Sequence, residues 1–400
     1  MTRGTFTAAI ASIALLASAC GSSKTSSSAT TVAAASGDTT PAATAAAASS
    51  GGACTAKIGF MGPFTGDAAS IGQEQLNWGK LGLDTYNAAN GTSFSFVETD
   101  TQLDPAQATT GAQKLVSDTG VVAVLGPAGS GEVEAIAPAM TTAGLAYVSP
   151  SATRTSLTIG DKKIATFSRV VPNDDAQGPT VANFIAKTIG AKKVLIVDDQ
   201  ESYSTGLADS ATATFKTLNV EVVRESIDQK ATDFSSLITK VSADIGAVFL
   251  PWQIAANAQQ FGTQLAEQGK KAAVVGSDGL YSPKDFTLEG AYVTSFAPDV
   301  RGVAAAKDAV AAFQKAHDDS FGTFGPPVYV AAQLIATGIS ATCKDGKPGD
   351  RAAVAAAVRS AKIADSILGG PVALDTNGDV VGAKFYLSQI KGGKYTLVAG

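Results

Sequence analysis

The most constraining feature of this sequence is residues 121–153, which predict a strand, a loop, a helix, a second strand and a second loop. Residues 121–125 form an unbroken apolar run, which is typical of a parallel strand buried on both faces. A glycine-rich loop at 126–131 and a hydroxyl-rich loop at 150–153 follow the two strands. Because neighbouring parallel strands deliver their following loops to the same edge of a sheet, the two loops predict a ligand site there.

Each of these loops, taken singly, is also compatible with an ordinary turn between a strand and a helix. Two such loops side by side favour a ligand site, because they bring together backbone amides and the hydroxyl groups of Ser130, Ser151 and Thr153. Groups of this kind bind a small anion such as a carboxylate at a helix N-terminus. We therefore predict that the two loops form a carboxylate site.

The size and charge of the chain limit its class. The chain has 400 residues, which is too long for one hydrophobic core and predicts two domains. Its apolar fraction of 45% is that of an ordinary globular protein. Its net charge is −5 and it has no run of basic residues, which argues against binding to nucleic acid.

The single histidine, His317, restricts the available chemistry. A metal site built from several histidines is excluded, and a Ser-His-Asp triad would have to use this residue, which lies in a polar helical stretch. The glycine-rich loop fails the nucleotide-binding motifs, because Glu132 and Glu134 stand where those motifs require lysine and glycine. We predict a protein without a metal ion, without a cofactor and without enzymatic activity.

The N-terminal region predicts export. Arg3 precedes a short apolar run, and small residues lead to Cys20, which is a signal-peptide pattern. The end of this pattern resembles the lipobox of bacterial lipoproteins, in which the mature chain begins at a lipidated cysteine, here Cys20. We therefore predict a signal peptide at 1–20 and a lipid anchor on the outer face of the cytoplasmic membrane. Residues 21–53 are dominated by Ser, Thr, Ala and Gly and predict a disordered tether.

The other two cysteines, Cys54 and Cys343, leave two alternatives open. Outside the cell, leftover cysteines commonly pair. A disulfide would pin the start of the fold to the helix that precedes Cys343. The alternative is two free thiols.

Predicted strands and helices alternate along most of the chain, in two successive series separated by a polar, proline-containing stretch at 172–179. The predicted strands are 57–61, 94–98, 121–125, 145–149, 164–171, 193–197, 220–224, 246–252, 272–276 and 291–296. Predicted helices near 303–318, 327–343 and 351–361 precede a hairpin-like pair at 383–387 and 395–398. The pattern predicts an α/β fold with two doubly wound parallel-sheet lobes.

With these residues in order, the chain resembles the type I periplasmic binding proteins, and among them the leucine/isoleucine/valine-binding family of ABC importers. The resemblance runs from about residue 56 to the C-terminus. Its matching blocks are residues 58–66, 125–130, 149–153, 177–180, 196–199 with Tyr203 and Gly206, 233–237 and 276–279.

The resemblance implies a hinge of three crossings near Pro172, Pro298 and Asp379, with the ligand in a cleft on which the lobes close. It divides the folded chain into lobe 1 at 54–171 plus 299–378 and lobe 2 at 172–298 plus 379–400.

The resemblance also implies the ligand contacts. First-lobe hydroxyls and amides hold the ligand carboxylate and ammonium, a second-lobe acid holds the ammonium, and a tyrosine lies beside it. The first-lobe contacts that carry over to this chain are Ser130, Ser151, Ala152 and Thr153. The second-lobe acid is Asp278 and the tyrosine is Tyr203. The expected cleft wall consists of Ile71, Trp252 and Gln253, and Phe324 is expected at the rim of the cleft.

Two of these positions depart from the family pattern. Gln253, preceded by the bulky Trp252, stands where branched-chain binders have a tyrosine, and Ile71 replaces an aromatic wall residue. The resemblance therefore implies an α-amino acid ligand, branched-chain or other. For Asp278 a turn or cap role is the alternative, and for Tyr203 packing within the lobe.

The function that the resemblance implies is an extracytoplasmic solute-binding lipoprotein. It is expected to be a monomer that binds an amino acid-like ligand and delivers it to an ABC permease in the membrane. The alternative is an amide- or urea-type solute receptor, or a sensor ectodomain, of the same fold.

Overall fold

The computed structural model describes residues 53–317, 319 and 321–400. The predicted signal peptide, the lipidation site Cys20 and residues 21–52 lie outside the described residues. The described part of the chain contains two main sheets, one of five strands and one of seven. We call the part built on the five-stranded sheet lobe 1 and the part built on the seven-stranded sheet lobe 2.

Lobe 1 begins the fold with a parallel sheet. Its strands are β1 (Thr55–Gly62), β2 (Ser93–Asp100), β3 (Val121–Leu125), β4 (Ala146–Ser149) and β5 (Phe167–Arg169). The helices between them are α1 (Ala69–Asn90), α2 (Pro105–Ser117) and α3 (Ser130–Ala143). The strand order is β2-β1-β3-β4-β5 and every pair is parallel. In this order the direction of winding reverses between β1 and β3, which opens a crevice at their carboxyl ends.

Lobe 2 continues the alternation. Its elements are α4 (Asp174–Asn183), β6 (Lys193–Asp198), α5 (Ser202–Thr217), β7 (Glu221–Ser226), α6 (Ser235–Thr239), β8 (Ala247–Leu250), α7 (Ala255–Glu267), β9 (Ala273–Gly276) and β10 (Tyr292–Ser295). The chain then returns to lobe 1 with α8 (Lys307–Ala316), α9 (Gly325–Thr342), α10 (Arg351–Ser360) and a small ribbon of β11 (Lys362–Ile363) and β12 (Val372–Ala373). It ends in lobe 2 with β13 (Tyr386–Lys391) and β14 (Lys394–Ala399).

Each sheet is covered by helices on both faces, as apolar parallel strands require. In lobe 1, α1, α8, α9 and α10 cover one face, while α2 and α3 cover the other. In lobe 2, α6 and α7 cover one face, and α4 and α5 the other. The expected α/β fold with two lobes is therefore confirmed.

The lobe-2 sheet has an antiparallel pair of strands at one edge. Its order is β14-β13-β10-β9-β8-β6-β7, and its last two strands pair antiparallel. Only Gly392 and Gly393 separate β13 from β14, both with positive φ (55° and 70°). A two-residue connection joins antiparallel strands only, and glycine adopts these angles without strain. The expected hairpin-like pair at the C-terminus is confirmed, with strands at 386–391 and 394–399 in place of 383–387 and 395–398.

The chain passes between the lobes three times. The passages lie between β5 and α4, between β10 and α8, and between β12 and β13. The expected crossings near Pro172, Pro298 and Asp379 fall within these intervals, and the lobe boundaries themselves remain a prediction.

Some predicted elements had wrong bounds. The polar stretch at 172–179 was expected to separate the two series, yet α4 begins within it at Asp174, because the Asn173 side chain caps the helix by accepting from the amide of Asp175 (3.0 Å). Two short 3₁₀ turns precede α8, where one continuous helix was expected. The strand expected at 164–171 has three residues. At α4 the cap hydrogen bond, which apolar periodicity does not show, sets the boundary.

A disulfide joins Cys54 to Cys343. It links the start of β1 to the end of α9 and spans 289 residues of sequence. A crosslink over so long a segment lowers the conformational entropy of the unfolded chain.

None of the helices in the described part of the chain combines the length and apolar character needed to cross a bilayer.

Candidate ligand-binding site

The loops that follow β3 and β4 lie side by side and are bonded to each other. The hydroxyl of Ser151 donates to the carbonyl of Ala128 (2.9 Å). The amide of Arg154 donates to Ser130 Oγ (3.2 Å). All three predicted hydroxyl residues of these loops are buried. The parallel order of β3 and β4 places both loops at one sheet edge, where they form a polar surface that we call the lobe-1 face.

The hydroxyl groups of the lobe-1 face differ in how far they are already bonded. Ser151 Oγ also accepts from Gln75 Nε2 (2.9 Å), so this hydroxyl is used within the protein as both donor and acceptor. The Ala152 amide is likewise engaged, on Ser149 Oγ (2.9 Å). Thr153 Oγ1 is fully buried and makes no hydrogen bond of ordinary geometry among the described residues, although it lies close enough to the Asp174 carboxylate to lower the pKa of that group. Thr153 is therefore the hydroxyl of this face that is available to a ligand.

Lobe 2 presents a carboxylate and a phenol. Tyr203 lies in the first turn of α5, and its hydroxyl donates to Asp278 Oδ1 (2.7 Å). Asp278 follows β9 and begins a 3₁₀ turn. Each of these two residues is 2% exposed. Tyr203 also packs in the apolar core of lobe 2, so the expected packing role and a position beside Asp278 occur together.

A second carboxylate, Asp174, belongs to the same site and was not predicted. It is the first residue of α4 and is 1% exposed, and neither of its carboxylate oxygens has a hydrogen-bond partner among the described residues. Its backbone amide donates to the Thr153 carbonyl (2.9 Å), which joins lobe 1 to lobe 2 at this point. The signal for Asp174 in the sequence is an acid at the N-terminus of a helix that begins after an Asn cap. We call Asp174, Tyr203 and Asp278 the lobe-2 face.

Burial makes the two carboxylates of the lobe-2 face weaker acids than usual. Loss of solvent raises the pKa of Asp174 to about 7, and the negative charge of Asp278 adds to the increase, against the opposing effect of the Thr153 hydroxyl. Loss of solvent also raises the pKa of Asp278 to about 6, although the Tyr203 hydroxyl lowers it in part. An ammonium group placed between these carboxylates would supply the compensating positive charge.

The two lobes also contact each other beside the site. The guanidinium of Arg154 forms an ion pair with Glu134 (3.3 Å) within lobe 1 and donates to the Ser202 carbonyl and to Thr205 Oγ1 (3.3 Å) in lobe 2. The Ser202 hydroxyl donates back to Glu134 Oε2 (2.7 Å). These bonds hold the N-terminal end of α5, and with it Tyr203, against the loop that carries Thr153.

Two of the expected cleft-wall residues form apolar packing on the inner surface of the lobes. Ile71 and Phe324 are buried in one cluster with residues of both lobes. Ala128, whose carbonyl accepts from Ser151, belongs to the same cluster. The apolar cluster therefore adjoins the lobe-1 face.

Trp252 does not have the expected wall position. Its indole NH donates to the Val197 carbonyl (2.7 Å), and its ring packs against Phe234 and Phe261 in the core of lobe 2. We correct its assignment from ligand wall to core. Gln253, the next residue, is half-buried beside the glycine that follows Asp278.

Comparison with known proteins identifies the family of the chain. A family model described as periplasmic binding protein matches residues 55–394. The chain belongs to the periplasmic binding protein family. The resemblance to the type I, leucine/isoleucine/valine-binding group is thereby confirmed. Members of this family are solute-binding proteins, which confirms the prediction that the chain is not an enzyme.

Three similar proteins illustrate the relationship. An amino acid binding protein of Pseudomonas aeruginosa is 30% identical over 237 residues, which is 58% of this chain and 63% of that protein, less than two thirds of its length. The Leu/Ile/Val-binding protein BraC3 of Rhizobium johnstonii is 28% identical over 351 residues, 84% of this chain and 92% of the relative. The branched-chain amino acid transporter substrate binding protein LivJ of Streptococcus pneumoniae, solved with isoleucine, is 26% identical with a TM-score of 0.76 and covers 86% of this chain and 100% of its own.

Proposed function

We propose that this periplasmic binding protein holds the zwitterion of an α-amino acid between its two lobes. In this proposal the ligand carboxylate lies on the lobe-1 face, with the Thr153 hydroxyl as a contact, and the ammonium lies on the lobe-2 face. The observation that carries the proposal is the pair of buried carboxylates, Asp174 and Asp278, both with raised pKa values. A buried negative charge requires a compensating cation or hydrogen bonds.

The same observation disfavours an amide or urea ligand. Such a molecule has no positive charge, so only the more distant charges of Arg154 and Arg169 would compensate the Asp174 carboxylate, and the charge of Asp278 would gain no cation from the ligand. The apolar cluster that contains Ile71 and Phe324 suits an amino acid whose side chain is apolar. The similar proteins named as amino acid or Leu/Ile/Val-binding support the same class of ligand.

The test is a thermal-shift screen of the chain without residues 1–20 against α-amino acids, their primary amides, their N-acetyl derivatives, urea and short carboxylic acids. A ligand at about 100 times its Kd stabilises a protein by ~2.7 kcal/mol. We expect stabilisation by at least one free amino acid and none by its N-acetyl derivative, which keeps the carboxylate and loses the positive charge. Stabilisation by amides or urea alone would contradict the proposal.

We further propose that the protein is a monomeric lipoprotein anchored through Cys20 and that it delivers its ligand to an ABC permease. The export signal and the cysteine support the anchor. A Cys20→Ser variant should move from the membrane fraction to the soluble fraction of the cell, with binding unchanged. Deletion of the gene should reduce uptake of the labelled ligand, and unchanged uptake would contradict the transport role.

A further inference from the structure

We propose that the buried ion pair between Arg169 and Asp379 is a positioning unit of the ligand site. It fixes the positions of Thr153 and Asp174 relative to each other and links both residues to the last passage between the lobes. The binding part of this inference rests on the proposed function, whereas its structural part does not.

The ion pair connects the end of the lobe-1 sheet to the last inter-lobe passage. Arg169 is the final residue of β5, and its side chain is fully buried. Its Nε donates to Asp379 Oδ1 (2.6 Å), and its backbone amide donates to the Gly378 carbonyl (2.9 Å). A buried pair of this kind is maintained only when its remaining donors and acceptors are also satisfied.

The remaining donors of Arg169 bind the loop that carries Thr153. Its Nη1 donates to the carbonyls of Ala152 (3.1 Å) and Arg154 (2.8 Å), the residues immediately before and after Thr153. Its Nη2 donates to the Thr158 hydroxyl. The guanidinium therefore fixes the backbone orientation from which the Thr153 hydroxyl projects.

The remaining acceptor positions of Asp379 bind the helix that carries Asp174. Asn173 Nδ2 donates to Asp379 Oδ2 (3.2 Å), while Asn173 Oδ1 caps α4. The Thr158 hydroxyl lies 3.0 Å from both carboxylate oxygens of Asp379. The carboxylate thus holds the cap residue immediately before Asp174.

The ion pair therefore contacts the loop that carries Thr153 through Arg169, and it contacts the residue before Asp174 through Asp379. Since Asp379 lies in the last passage between the lobes, a displacement of that passage must move or break the bonds to the Thr153 loop and to the α4 cap. Ligand occupancy and lobe movement are then linked, because a ligand that favours one arrangement of these bonds shifts the equilibrium between the lobe positions.

The test uses Arg169→Lys and Asp379→Asn, with Arg224→Lys and Asp198→Asn as matched controls. The control pair also combines an arginine with a buried aspartate (2.8 Å), on the first two strands of the lobe-2 series, and is not part of either face. The first readout is hydrogen exchange of peptides covering 150–156 and 172–178 without ligand. The second is calorimetric Kd for the amino acid that wild type binds, at a temperature where every variant is folded.

We expect faster exchange in both peptides, and a Kd at least about tenfold weaker, for each variant of the Arg169–Asp379 pair (tenfold corresponds to ~1.4 kcal/mol). The control variants should lower the unfolding temperature and leave Kd and both peptides unchanged. A double variant should lose less affinity than the product of the two single losses, because the residues act as one unit.

The inference would be overturned if the Arg169→Lys and Asp379→Asn variants had the same hydrogen exchange in both peptides and the same Kd as the wild type. If the arginine or aspartate variants do not fold, Thr158→Val removes one bond to each partner and should give smaller changes of the same sign, whereas no change would again overturn it. If wild type binds no amino acid, the proposed function fails, and the exchange measurement alone decides the positioning role.

Discussion

The two faces of the site satisfy their polar groups in opposite ways. On the lobe-1 face, Ser130 and Ser151 are bonded to the main chain of the neighbouring loop, and no charged side chain is part of it. On the lobe-2 face, Asp174 and Asp278 are buried and their pKa values are raised to about 7 and about 6. One face is neutral and mostly satisfied, whereas the other carries charge that the protein compensates only in part.

Because of this difference, we expect the lobe-1 face to contribute mainly to the stability of the protein and the lobe-2 face mainly to its affinity for the ligand. A neutral hydroxyl bonded to a carbonyl costs little when no ligand is present. A buried carboxylate without a cation costs free energy until a positive charge arrives. We therefore infer that the lobe-1 face is pre-organised and that the lobe-2 face supplies most of the ligand's binding free energy.

The largest expected effect is the loss of charge at Asp278. In Asp278→Asn the side chain keeps its size, but the attraction for an ammonium is lost. Removing one partner of a buried charge pair costs about 3 kcal/mol, so we expect affinity for the amino acid to fall about 100-fold or more. Titration calorimetry measures this, with the exposed Asp209→Asn as control. An affinity within about threefold of wild type would remove the ammonium from the lobe-2 face.

The pH dependence of affinity should be the next largest effect. An ammonium binds the ionised carboxylates, and in the free protein Asp278 has a pKa raised to about 6 and Asp174 one raised to about 7. In this pH range ligand binding must therefore displace protons from the two carboxylates. Affinity should weaken about tenfold or more when the pH is lowered from 7.5 to 5.5. Above pH 7.5 it should be flat.

Calorimetry in two buffers of different ionisation enthalpy counts the protons released. The Asp278→Asn variant is the control, because it should release fewer protons. An affinity that does not change from pH 5.5 to 7.5 would contradict the charged character of the lobe-2 face.

These expectations depend on a residue that sequence reasoning missed. The convergence of the loops at Ser151 and Thr153 was predictable, since it follows from parallel strand order alone. Asp278 was predictable because it lies in a family block. Asp174 was not, because its role depends on how α4 of lobe 2 meets the Thr153 carbonyl of lobe 1, a contact between separate parts of the fold.

Trp252 shows a different limit of the sequence. An aromatic residue at the end of a strand has the same local pattern whether it faces a ligand or the core. Only the placement of Phe234, the residue before α6, and of Phe261 in α7 decides that it faces the core. The antiparallel edge of the same sheet was predictable, because the sequence indicates a hairpin-like pair at the C-terminus, although its strands lie at 386–391 and 394–399.

The ligand-free stability should show the cost of the lobe-2 face. The folded-state pKa of Asp174 is raised from 3.8 to about 7, so the folded protein binds this proton more tightly than the unfolded chain. Its unfavourable contribution to folding is therefore absent below about pH 4 and is fully present above about pH 7. We expect Asp174→Asn to raise the free energy of unfolding at pH 8 by roughly 1–2 kcal/mol while it weakens ligand binding.

Urea denaturation at pH 4.5 and pH 8 measures this, and the gain should be smaller at pH 4.5. A variant that is less stable than wild type at pH 8 would show that Asp174 is compensated within the protein, and that the two faces do not differ as proposed.

The smallest effects distinguish the two hydroxyls of the lobe-1 face. Thr153→Val removes a buried hydroxyl that makes no hydrogen bond of ordinary geometry among the described residues and lies near the Asp174 carboxylate, so it should cost about fivefold in affinity and change stability little. Ser151→Ala removes a hydroxyl that bonds Ala128 and Gln75, so it should cost ~1 kcal/mol of stability and change affinity less than about threefold. Denaturation should show the larger loss of stability for Ser151→Ala, and calorimetry should show the larger loss of affinity for Thr153→Val. The reverse pattern would mean that Ser151 contacts the ligand and that the lobe-1 face is completed only when the ligand binds.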